Sequence, residues 1–594
     1  MNKRIYHSIK YILILVILTV SCEDYLDKSP DSEIDEGAIF TNFLNFQGFV
    51  EELYNCITDY DKAVAPNRYL YADETLMHAI HRFDQGDYWG QGDLLYATSN
   101  AVSTATGETR NKRVWPLCWY GIRKANIGLS NLDLFRGTQE ERDLLEGQML
   151  YFRGWFHFEV MRYWGGMPYV DTVLTATSNL HLPRLNYRET ALKAAKDFEQ
   201  AATLLPVDWD GTNAGQRTLG DNRQRISKVH ALAYLGKNLL YAGSPMMNEE
   251  STNKNEYDAE LCKKAAEAFA EVLKISEESG KYQLQTWETW TDNFWVMSLT
   301  DLSGGTEVIL NPPPYLPGRT RTNTLNNYVP VKLQSMAKDT EVPTHNYVKN
   351  YAMANGLPID DPDSGYDPDD PWVGREPRFY ADITVDRDEL TYTNISGFDK
   401  YAQLFTGGRH RDAEGSVTGY YFKRLSPKGC NLYDQYWNRF QEYIPYMRLA
   451  DIYLMYAEAV LHGYGSPASS APGFNLTAVD AMNVIRNRAQ LPNLTNKYAA
   501  TKEAFMGEII RERAVELAFE GHRFHDLRRW NIHDQLKYRE KTAVDFDRDP
   551  VTGKPRNIRE RVIITRVVEK KHNWLPLQLS DTYIYPHFGQ NPGW

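Results

Sequence analysis

The chain has 594 residues, a formal net charge of −12, and 13% aromatic residues, including 39 Tyr and 14 Trp. A hydrophobic fraction of 42% is enough to build a large core, so the composition excludes intrinsic disorder. No basic tract stands out, which argues against nucleic acid as a partner. A mean hydropathy of −0.54, without a second long apolar run, excludes a polytopic membrane protein.

The N-terminus has the pattern of an export signal that ends in a cysteine. A basic segment over residues 1–10 precedes an apolar run over residues 11–20, which is too short to span a bilayer. Cys22 follows almost at once, so we predict that residues 1–21 are a lipoprotein signal peptide and that Cys22 carries the lipid. An ordinary secreted protein with a stray cysteine is the alternative.

The other cysteines are far apart, at irregular intervals, and none forms a C-x-x-C pair. They are Cys56, Cys118, Cys262 and Cys430. This spacing predicts isolated buried thiols, and it does not indicate a zinc site or a disulfide framework.

Helical patterns follow one another in pairs along much of the chain. The predicted helices are Phe43–Ile57, Trp119–Leu134, Glu140–Tyr163, Asn186–Leu205, Ile226–Tyr241, Leu261–Leu273, Tyr446–Leu461, Phe474–Arg488 and Thr501–Glu520. Paired helices of this length indicate a tetratricopeptide-like stack, although its consensus repeat is not cleanly present. We therefore predict a mainly α fold, with a helical scaffold over about residues 40–281 and 441–530.

The composition changes over residues 282–440, where Pro, Gly, Asp, Tyr and Trp dominate. Short β-type runs occur there at Glu307–Leu310 and Tyr420–Lys423. A long irregular insertion in a helical protein is usually functional. Residues 68–113 are similar in character. We predict that the two regions meet on one face of the scaffold and form a loop-rich ligand lobe.

Aromatic side chains among polar neighbours are the best candidates for a binding site. Sugars present flat C–H faces and rings of hydroxyl groups, so a sugar site needs aromatic planes with polar groups at the rim. The candidate ligand-binding residues are Arg68, Tyr88, Trp89, Asn100, Trp287, Trp290, Tyr315, Arg319, Tyr328 and Trp372. Gly, Pro and Asp neighbours predict exposed rings for Tyr88, Trp89, Tyr315 and Trp372. Apolar neighbours place Trp115 and Trp295 in the core, and dense core packing is the competing interpretation of the aromatic surplus.

Familiar catalytic and metal-binding motifs are missing from the sequence. It contains no H-E-x-x-H, no G-x-S-x-G and no Walker loop. The acidic run over residues 360–370 resembles a calcium loop, but Tyr366 and Trp372 stand where an EF-hand requires Gly and Glu. A solvated turn is the main interpretation, with a looser calcium site as the alternative. No other cofactor is predicted.

The stretch Glu508–Trp530 combines a helical pattern with a high density of charge. Its acidic residues form a row four residues apart: Glu512, Glu516 and Glu520. Arg513 is predicted to reach Glu516, and Gly521 is predicted to end the helix. A partly buried ion-pair lattice is the main interpretation, and a catalytic or anion-binding site is the alternative.

Several segments, in the same order along the chain, resemble a known family. They are Tyr151–Asp171, Tyr351–Pro362, Arg375–Ile383, Tyr446–Val460, Asn483–Pro492, Glu508–Trp530 and the terminal YPHFGQNPGW. Together they resemble the SusD/RagB family of outer-membrane nutrient-binding lipoproteins. The resemblance covers nearly the whole chain from Cys22, so we expect one SusD-like domain over residues 22–594.

The resemblance implies a scaffold of four helix pairs and a particular biological role. It implies a lipid-anchored protein on the cell surface, in the outer membrane, that binds an oligosaccharide or polysaccharide without chemistry. The implied protein partner is a SusC-like TonB-dependent transporter, which would receive the glycan. A peptide-binding or other nutrient-binding subunit of the same importer type is one alternative. A lipoprotein glycosidase, with two carboxylates distant in sequence, is another.

Overall fold

The structure is a computed structural model. It describes residues 36–58, 60, 72–76, 82–88, 114–218, 222–297, 305–312, 328, 330, 333, 341–396, 399–411, 415–434, 440–442, 444–584 and 588–594. The predicted signal peptide and Cys22 lie outside the described residues.

Helices are the main regular secondary structure of the described chain, and nine of those described are long. They are α1 (Phe43–Tyr54), α2 (Val114–Ser130), α3 (Gln139–Trp164), α4 (Tyr187–Leu204), α5 (Lys228–Gly243), α6 (Ala259–Ser279), α7 (Leu449–Tyr464), α8 (Ala478–Arg488) and α9 (Lys502–Glu516). Shorter helices are Glu36–Ile39, Asn213–Gln216, Pro245–Thr252, His345–Val348, Pro377–Asp382, Asn496–Ala499, Arg523–Arg529, Leu536–Arg539 and Leu579–Ile584. The predicted mainly α, tetratricopeptide-like fold is confirmed.

Successive long helices pack side by side in antiparallel pairs. A Cβ placed on Gly121 of α2 would overlap the Phe156 ring of α3, and one on Gly128 would overlap Met149. The two helices therefore run in opposite directions. The same order relates α5 to α6, since Gly236 faces Phe269 and Gly243 faces Leu261. Short connections between packed helices produce this arrangement.

Side-chain caps begin several of these helices. Thr138 and Glu141 form a reciprocal capping box at the start of α3. Asn186 and Glu189 do the same for α4. Each box satisfies backbone N–H groups that lack a partner within the first turn. The sequence signal for both helix starts is thus local.

Short strand pairs occur mainly in the loop-rich regions. The strands are β1 (Thr75–Leu76), β2 (Trp295–Met297), β3 (Val308–Leu310), β4 (Val342–Pro343), β5 (Ile383–Thr384), β6 (Tyr421–Phe422), β7 (Phe440–Glu442) and β8 (Met447–Arg448). The antiparallel pairs are β1–β4, β2–β7, β3–β8 and β5–β6. The β1–β4 pair joins the first loop-rich region to the second, with Thr75 opposite Pro343.

A long hairpin near the C-terminus was not predicted. Strands β9 (Glu540–Arg548) and β10 (Pro555–Thr565) pair in antiparallel fashion around the turn at residues 549–554. The signal was present as a turn sequence, Asp549-Pro-Val-Thr-Gly-Lys554, followed by a run rich in β-branched residues. High charge in both strands obscured the alternation of apolar and polar residues.

The predicted end of α9 is wrong. The helix ends at Glu516 rather than Glu520, and Phe519 adopts a positive φ of 63°. Two buried guanidinium groups bind carbonyl oxygens at this end: Arg448 donates to Glu516 O at 2.7 Å, and Arg424 donates to Ala518 O at 2.6 Å. The carbonyls are satisfied by arginines from distant parts of the chain, so the helix need not continue.

Two other predictions from sequence have clear outcomes. Cys56, Cys118, Cys262 and Cys430 are all buried thiols rather than disulfides, as predicted. The predicted helix from Tyr446 begins instead at Leu449, because Met447 and Arg448 pair with strand β3.

Candidate ligand-binding site

Trp287 and Trp290 form a stacked pair in the loop that follows α6. Their ring centroids lie 5.2 Å apart with 22° between the planes. Trp290 is buried, whereas Trp287 is half-buried. The pair therefore presents one partly accessible indole that rests on a fixed one. This arrangement suits stacking against a flat apolar face of a ligand.

A buried arginine supports Trp290. The Arg424 guanidinium carbon lies 4.5 Å from the Trp290 ring centroid and 4.6 Å from that of Phe294. One edge of the same guanidinium donates to both carboxylate oxygens of Asp382, from Nε and Nη2 at 2.8 Å each, and Nη1 donates to Ala518 O at 2.6 Å. A guanidinium that is fixed by hydrogen bonds and packs on the Trp290 indole restrains the orientation of that ring. Trp287 is thus placed on a rigid support.

Glu307 fastens the tryptophan loop to the rest of the molecule. Its buried carboxylate accepts hydrogen bonds from Gln285 N at 3.0 Å and from Asn293 Nδ2 at 2.8 Å. It also binds Arg448 at 2.7 Å and Arg488 at 3.1 Å. Burial alone would raise the pKa of Glu307, but Arg488 and Arg448 hold it below its usual range.

Arg448 belongs to a fully buried lattice built on the acidic row of α9. Arg378 binds Glu512 at 2.6 Å and Glu516 at 3.1 Å. Arg448 binds Glu516 at 2.7 Å and Glu520 at 2.8 Å. All these side chains have 0% exposure. The lattice interpretation of this stretch is confirmed, since these charges are buried and bind one another.

The predicted contact between Arg513 and Glu516 is wrong. Arg513 instead binds Asp451 and Asp526, each at 2.8 Å. Asp451 lies on α7, which packs against α9, so the guanidinium turns toward a neighbouring helix rather than along its own. Sequence spacing on one helix cannot show such a partner.

A cavity of about 40 Å³ lies beside this second group of charges. Its lining includes Glu159, Arg162, Lys237, His522 and His525. Burial lowers the pKa of His522 to about 3, despite the nearby Asp451 carboxylate. One water needs roughly 10–15 Å³ on this measure, so the cavity has room for a few waters and none for an oligosaccharide.

The expectation that Tyr88 is exposed is wrong. Its side chain has 1% exposure, and its ring lies 4.4 Å from Phe83 and 4.6 Å from His572 between centroids. Trp594 lies 6.1 Å away. The C-terminal segment covers Tyr88, so this ring cannot stack on a ligand. The Gly and Asp residues beside Tyr88 in the sequence do not indicate that a segment almost 500 residues later packs against its ring.

Trp372 is also buried, against expectation. Its ring packs 4.8 Å from that of Phe546 on β9, and its indole N–H donates to the Tyr420 hydroxyl at 3.4 Å. The unpredicted hairpin therefore explains this error. Tyr328 is buried as well, with its ring 5.2 Å from that of Phe422.

The other predicted rings and polar groups fall into two classes. Trp115 and Trp295 were predicted to lie in the core, but each is only partly buried and packs against an apolar cluster. Five candidates lie outside the described residues: Arg68, Trp89, Asn100, Tyr315 and Arg319. Of the ten predicted ligand-binding residues, the described chain thus brings together Trp287 and Trp290 and leaves Trp287 partly accessible.

Among the described residues of the loop-rich lobe, the most exposed tyrosines were not predicted as ligand-binding residues. They are Tyr392, Tyr401 and Tyr433. Their sequence contexts, Thr-Tyr-Thr-Asn and Asn-Leu-Tyr-Asp among them, are polar and turn-like. This context is the signal that could have marked them, whereas the predicted site residues were chosen from clusters that contain tryptophan.

The acidic turn over residues 360–370 is tied to the scaffold through Asp361. Its carboxylate accepts a hydrogen bond from Lys497 at 2.7 Å and another from the Tyr498 hydroxyl. The hydrogen bonds from Lys497 and Tyr498 lower the pKa of Asp361 to about 2. Among the described residues, no group of three or more His, Cys, Asp or Glu side chains is arranged to hold a metal ion.

The fold is thus a scaffold of antiparallel helix pairs that carries a loop-rich lobe. A family model described as "SusD family" matches residues 317–594, and one described as "Starch-binding associating with outer membrane" matches residues 24–240. The two models together match most of the chain. The chain belongs to the SusD/RagB family.

Solved structures of low sequence identity share the fold. A SusD-like protein from Bacteroides fragilis is 21% identical, with a TM-score of 0.68 over 96% of this chain and 100% of that one. A SusD-like carbohydrate binding protein from the same species is 17% identical, with a TM-score of 0.63 over 93% and 100%. A SusD homolog from Bacteroides thetaiotaomicron is 17% identical, with a TM-score of 0.61 over 95% and 99%. No curated protein matches the chain.

The family description points to association with the outer membrane. Across the described ranges, no helix has both the length and the apolar character needed to cross a membrane.

Proposed function

We propose that this protein is a lipid-anchored, cell-surface binding protein that captures oligosaccharides without chemistry and delivers them to a SusC-like TonB-dependent transporter. The observation that carries the proposal is family membership, since one matching family model is described as starch-binding and associated with the outer membrane. The pattern of the leader and Cys22 supports lipid anchoring.

The Trp287–Trp290 stack supplies a local reason to favour a sugar ligand. A half-buried indole on a rigid base can cover the C–H face of a pyranose ring, while loop groups reach the hydroxyls. Such a shallow contact must also release its ligand to the transporter. We therefore expect micromolar to millimolar affinity, about −8 to −4 kcal/mol.

Two carboxylates that support the tryptophan stack are not placed for chemistry. Glu307 and Asp382 each bind a guanidinium and are fully buried. A general acid or nucleophile for glycoside hydrolysis must instead reach the substrate.

The test replaces the accessible indole and measures glycan affinity by calorimetry on residues 23–594. Trp287→Ala should weaken binding at least tenfold, about 1.4 kcal/mol, with little change in melting temperature. Trp287→Phe should keep part of the affinity, because a smaller ring still stacks. Tyr120→Ala, which removes an exposed ring from α2, is the matched control.

Two results would count against the proposal. Unchanged affinity in Trp287→Ala would remove this indole from the site. New reducing ends, lost on replacement of a single Asp or Glu, would show hydrolysis and contradict a binding-only role.

A further inference from the structure

Exposed aromatic side chains are concentrated in one part of the loop-rich lobe. Tyr392 and Tyr401 are each 52% exposed, and Tyr433 is 46% exposed. Leu432 beside them is 46% exposed. A solvated loop has no need of three rings, and large exposed apolar groups in one place mark binding surfaces. We call these four side chains, with the polar groups between them, the tyrosine surface.

A short antiparallel pairing brings Tyr401 to the same face as Glu389. The two residues are bridge partners, and the flanking bonds run from Leu390 N to Lys400 O at 2.9 Å and from Ala402 N to Asp388 O at 2.8 Å. Directly opposite residues in such a pair project their side chains on one face, about 5 Å apart at Cβ.

Lys428 connects Glu389 to Tyr392. Its ammonium binds the Glu389 carboxylate and lies 4.3 Å from the centroid of the Tyr392 ring. A cation beside an aromatic ring is an attractive contact that restrains the ring. Tyr392, Glu389 and Tyr401 therefore share one continuous surface.

Asp434 joins the loop that carries Tyr433 to the loop that carries Tyr392. One carboxylate oxygen accepts Thr393 N at 2.9 Å and the Thr393 hydroxyl at 2.6 Å. The other accepts Tyr392 N and Asn431 Nδ2, both at 2.8 Å. Four hydrogen bonds to one side chain hold the loops together before any ligand arrives, which lowers the entropic cost of binding.

The charges of the tyrosine surface are already balanced. Glu389 binds both Lys400, at 2.5 Å, and Lys428, while Lys423 lies 3.6 Å from Asp388. With the Asp434 carboxylate, these three lysines face three carboxylates, so together they carry no net positive charge for a polyanion. Exposed rings with backbone and side-chain polar groups at the rim, without a net positive field, suit an uncharged saccharide.

The shape of the surface favours a ligand that lies across it. The cavity beneath it, lined in part by Leu390, Lys428 and Asn431, has a volume of about 20 Å³. That is room for about one water. A sugar ring cannot enter it, so the contact must be made by the faces of the tyrosine rings.

We propose that Tyr392, Tyr401 and Tyr433 form a second saccharide-binding surface, separate from Trp287, for an uncharged oligosaccharide. The inference rests on the proposed glycan-binding function and adds a site to it. Trp295 packs on the apolar cluster that also contacts Leu390, so both surfaces belong to one lobe. A long glycan that contacts both surfaces should bind more tightly than a short one, because its second contact is intramolecular.

The test compares the wild type with Tyr392→Ala/Tyr401→Ala/Tyr433→Ala by calorimetry. The probes are neutral tri- and heptasaccharides of α-glucan, β-glucan, mannan and xylan, with oligogalacturonate as the charged comparison. For the heptasaccharide that binds the wild type, the triple variant should lose at least tenfold in affinity. The advantage of that heptasaccharide over its trisaccharide should largely disappear. Tyr583→Ala, which removes another exposed ring, is the matched control and should bind like the wild type.

Further variants separate a binding role from a structural one. Tyr392→Phe/Tyr401→Phe/Tyr433→Phe keeps the rings and should retain most of the affinity. Asp434→Ala should weaken heptasaccharide binding through loss of the loop connection, as expected for a positioning residue.

The outcomes distinguish this inference from the proposed function. Tight heptasaccharide binding that is unchanged in the triple alanine variant would overturn the tyrosine surface and leave glycan binding intact. Stronger binding of oligogalacturonate than of every neutral glycan would overturn the uncharged ligand. No heat from the wild type with any neutral glycan would contradict both proposals.

Discussion

Glu516 shows how much of this protein depends on single buried charges. It binds Arg378, Arg448 and Arg488, and all four side chains have 5% exposure or less. Burial opposes ionisation, yet the three guanidinium groups hold the pKa of Glu516 well below its usual range. The carboxylate is therefore charged in the folded protein at any ordinary pH.

Removal of that carboxylate should destabilise the fold without changing which glycan binds. We expect Glu516→Ala to lower the free energy of unfolding by about 3–5 kcal/mol, because unpaired guanidinium groups stay buried. Urea denaturation measures the change. Glu503→Ala, on the exposed first turn of the same helix, is the control and should stay within about 0.5 kcal/mol of the wild type. A Glu516→Ala variant that folds normally and binds nothing would make this stretch a ligand site.

Glu74 is a buried carboxylate whose pKa is raised, whereas that of Glu516 is lowered. Within the part of the chain that the structure describes, neither of its side-chain oxygens has a hydrogen-bond partner. Burial, with the neighbouring Asp73, raises its pKa from 4.5 to about 7. The folded state therefore binds a proton more tightly than the unfolded state does.

This raised pKa predicts a pH dependence of stability. The contribution of Glu74 is fully present below pH 4.5 and is lost as pH rises to about 7. Glu74→Gln stays uncharged, so its stability relative to the wild type should rise over that window, by on the order of 3 kcal/mol. Urea denaturation from pH 4.5 to 8 measures this difference, with Glu278→Gln at the exposed end of α6 as control. A constant difference between Glu74→Gln and wild type across the window would contradict the raised pKa.

At the level of elements, close helix packing depends on glycines. Gly121 of α2 faces the buried ring of Phe156, whereas Gly48 of α1 has no atom within 4 Å of a Cβ placed on it. Gly121→Ala should lower the free energy of unfolding by about 1–3 kcal/mol through overpacking. Gly48→Ala should raise it by up to about 1 kcal/mol, since alanine is the better helix former. Thermal unfolding of both variants checks this, and equal effects would contradict the described packing of α2 on α3.

The elements also show what the sequence could and could not predict. The helices were found because their periodicity and caps, such as Thr138 with Glu141, are local. The end of α9 was missed because Arg424 and Arg448, distant in sequence, satisfy its last carbonyls. Strand β9 was missed, and with it the cover over Trp372.

The same distinction applies to the candidate site. Trp287 and Trp290 are three residues apart, so their stacking followed from proximity and aromatic content. The burial of Tyr88 depends on His572 and Trp594, which no local pattern connects to it. Exposure is a property of the whole fold, and the exposed rings of Tyr401 and Tyr433 became evident only from the structure.

At the level of the whole molecule, the buried lattice fastens the loop-rich lobe to the helical scaffold. Glu307, Arg378 and Arg424 come from the lobe, while Glu516 and Glu520 end the α9 region of the scaffold. The tryptophan stack and the lattice share Arg424. The tryptophan stack is therefore held by the same contacts that join the lobe to the scaffold, as expected for a preorganised binding surface.

Glycan capture is tested most directly by calorimetric titration of residues 23–594 with plant, host and microbial glycans, with reducing ends assayed in parallel. We expect heat with at least one class of neutral glycan, at micromolar to millimolar affinity, and no new reducing ends. If no glycan gave a heat of binding, or if peptides gave one instead, the result would contradict glycan capture as the function of this protein.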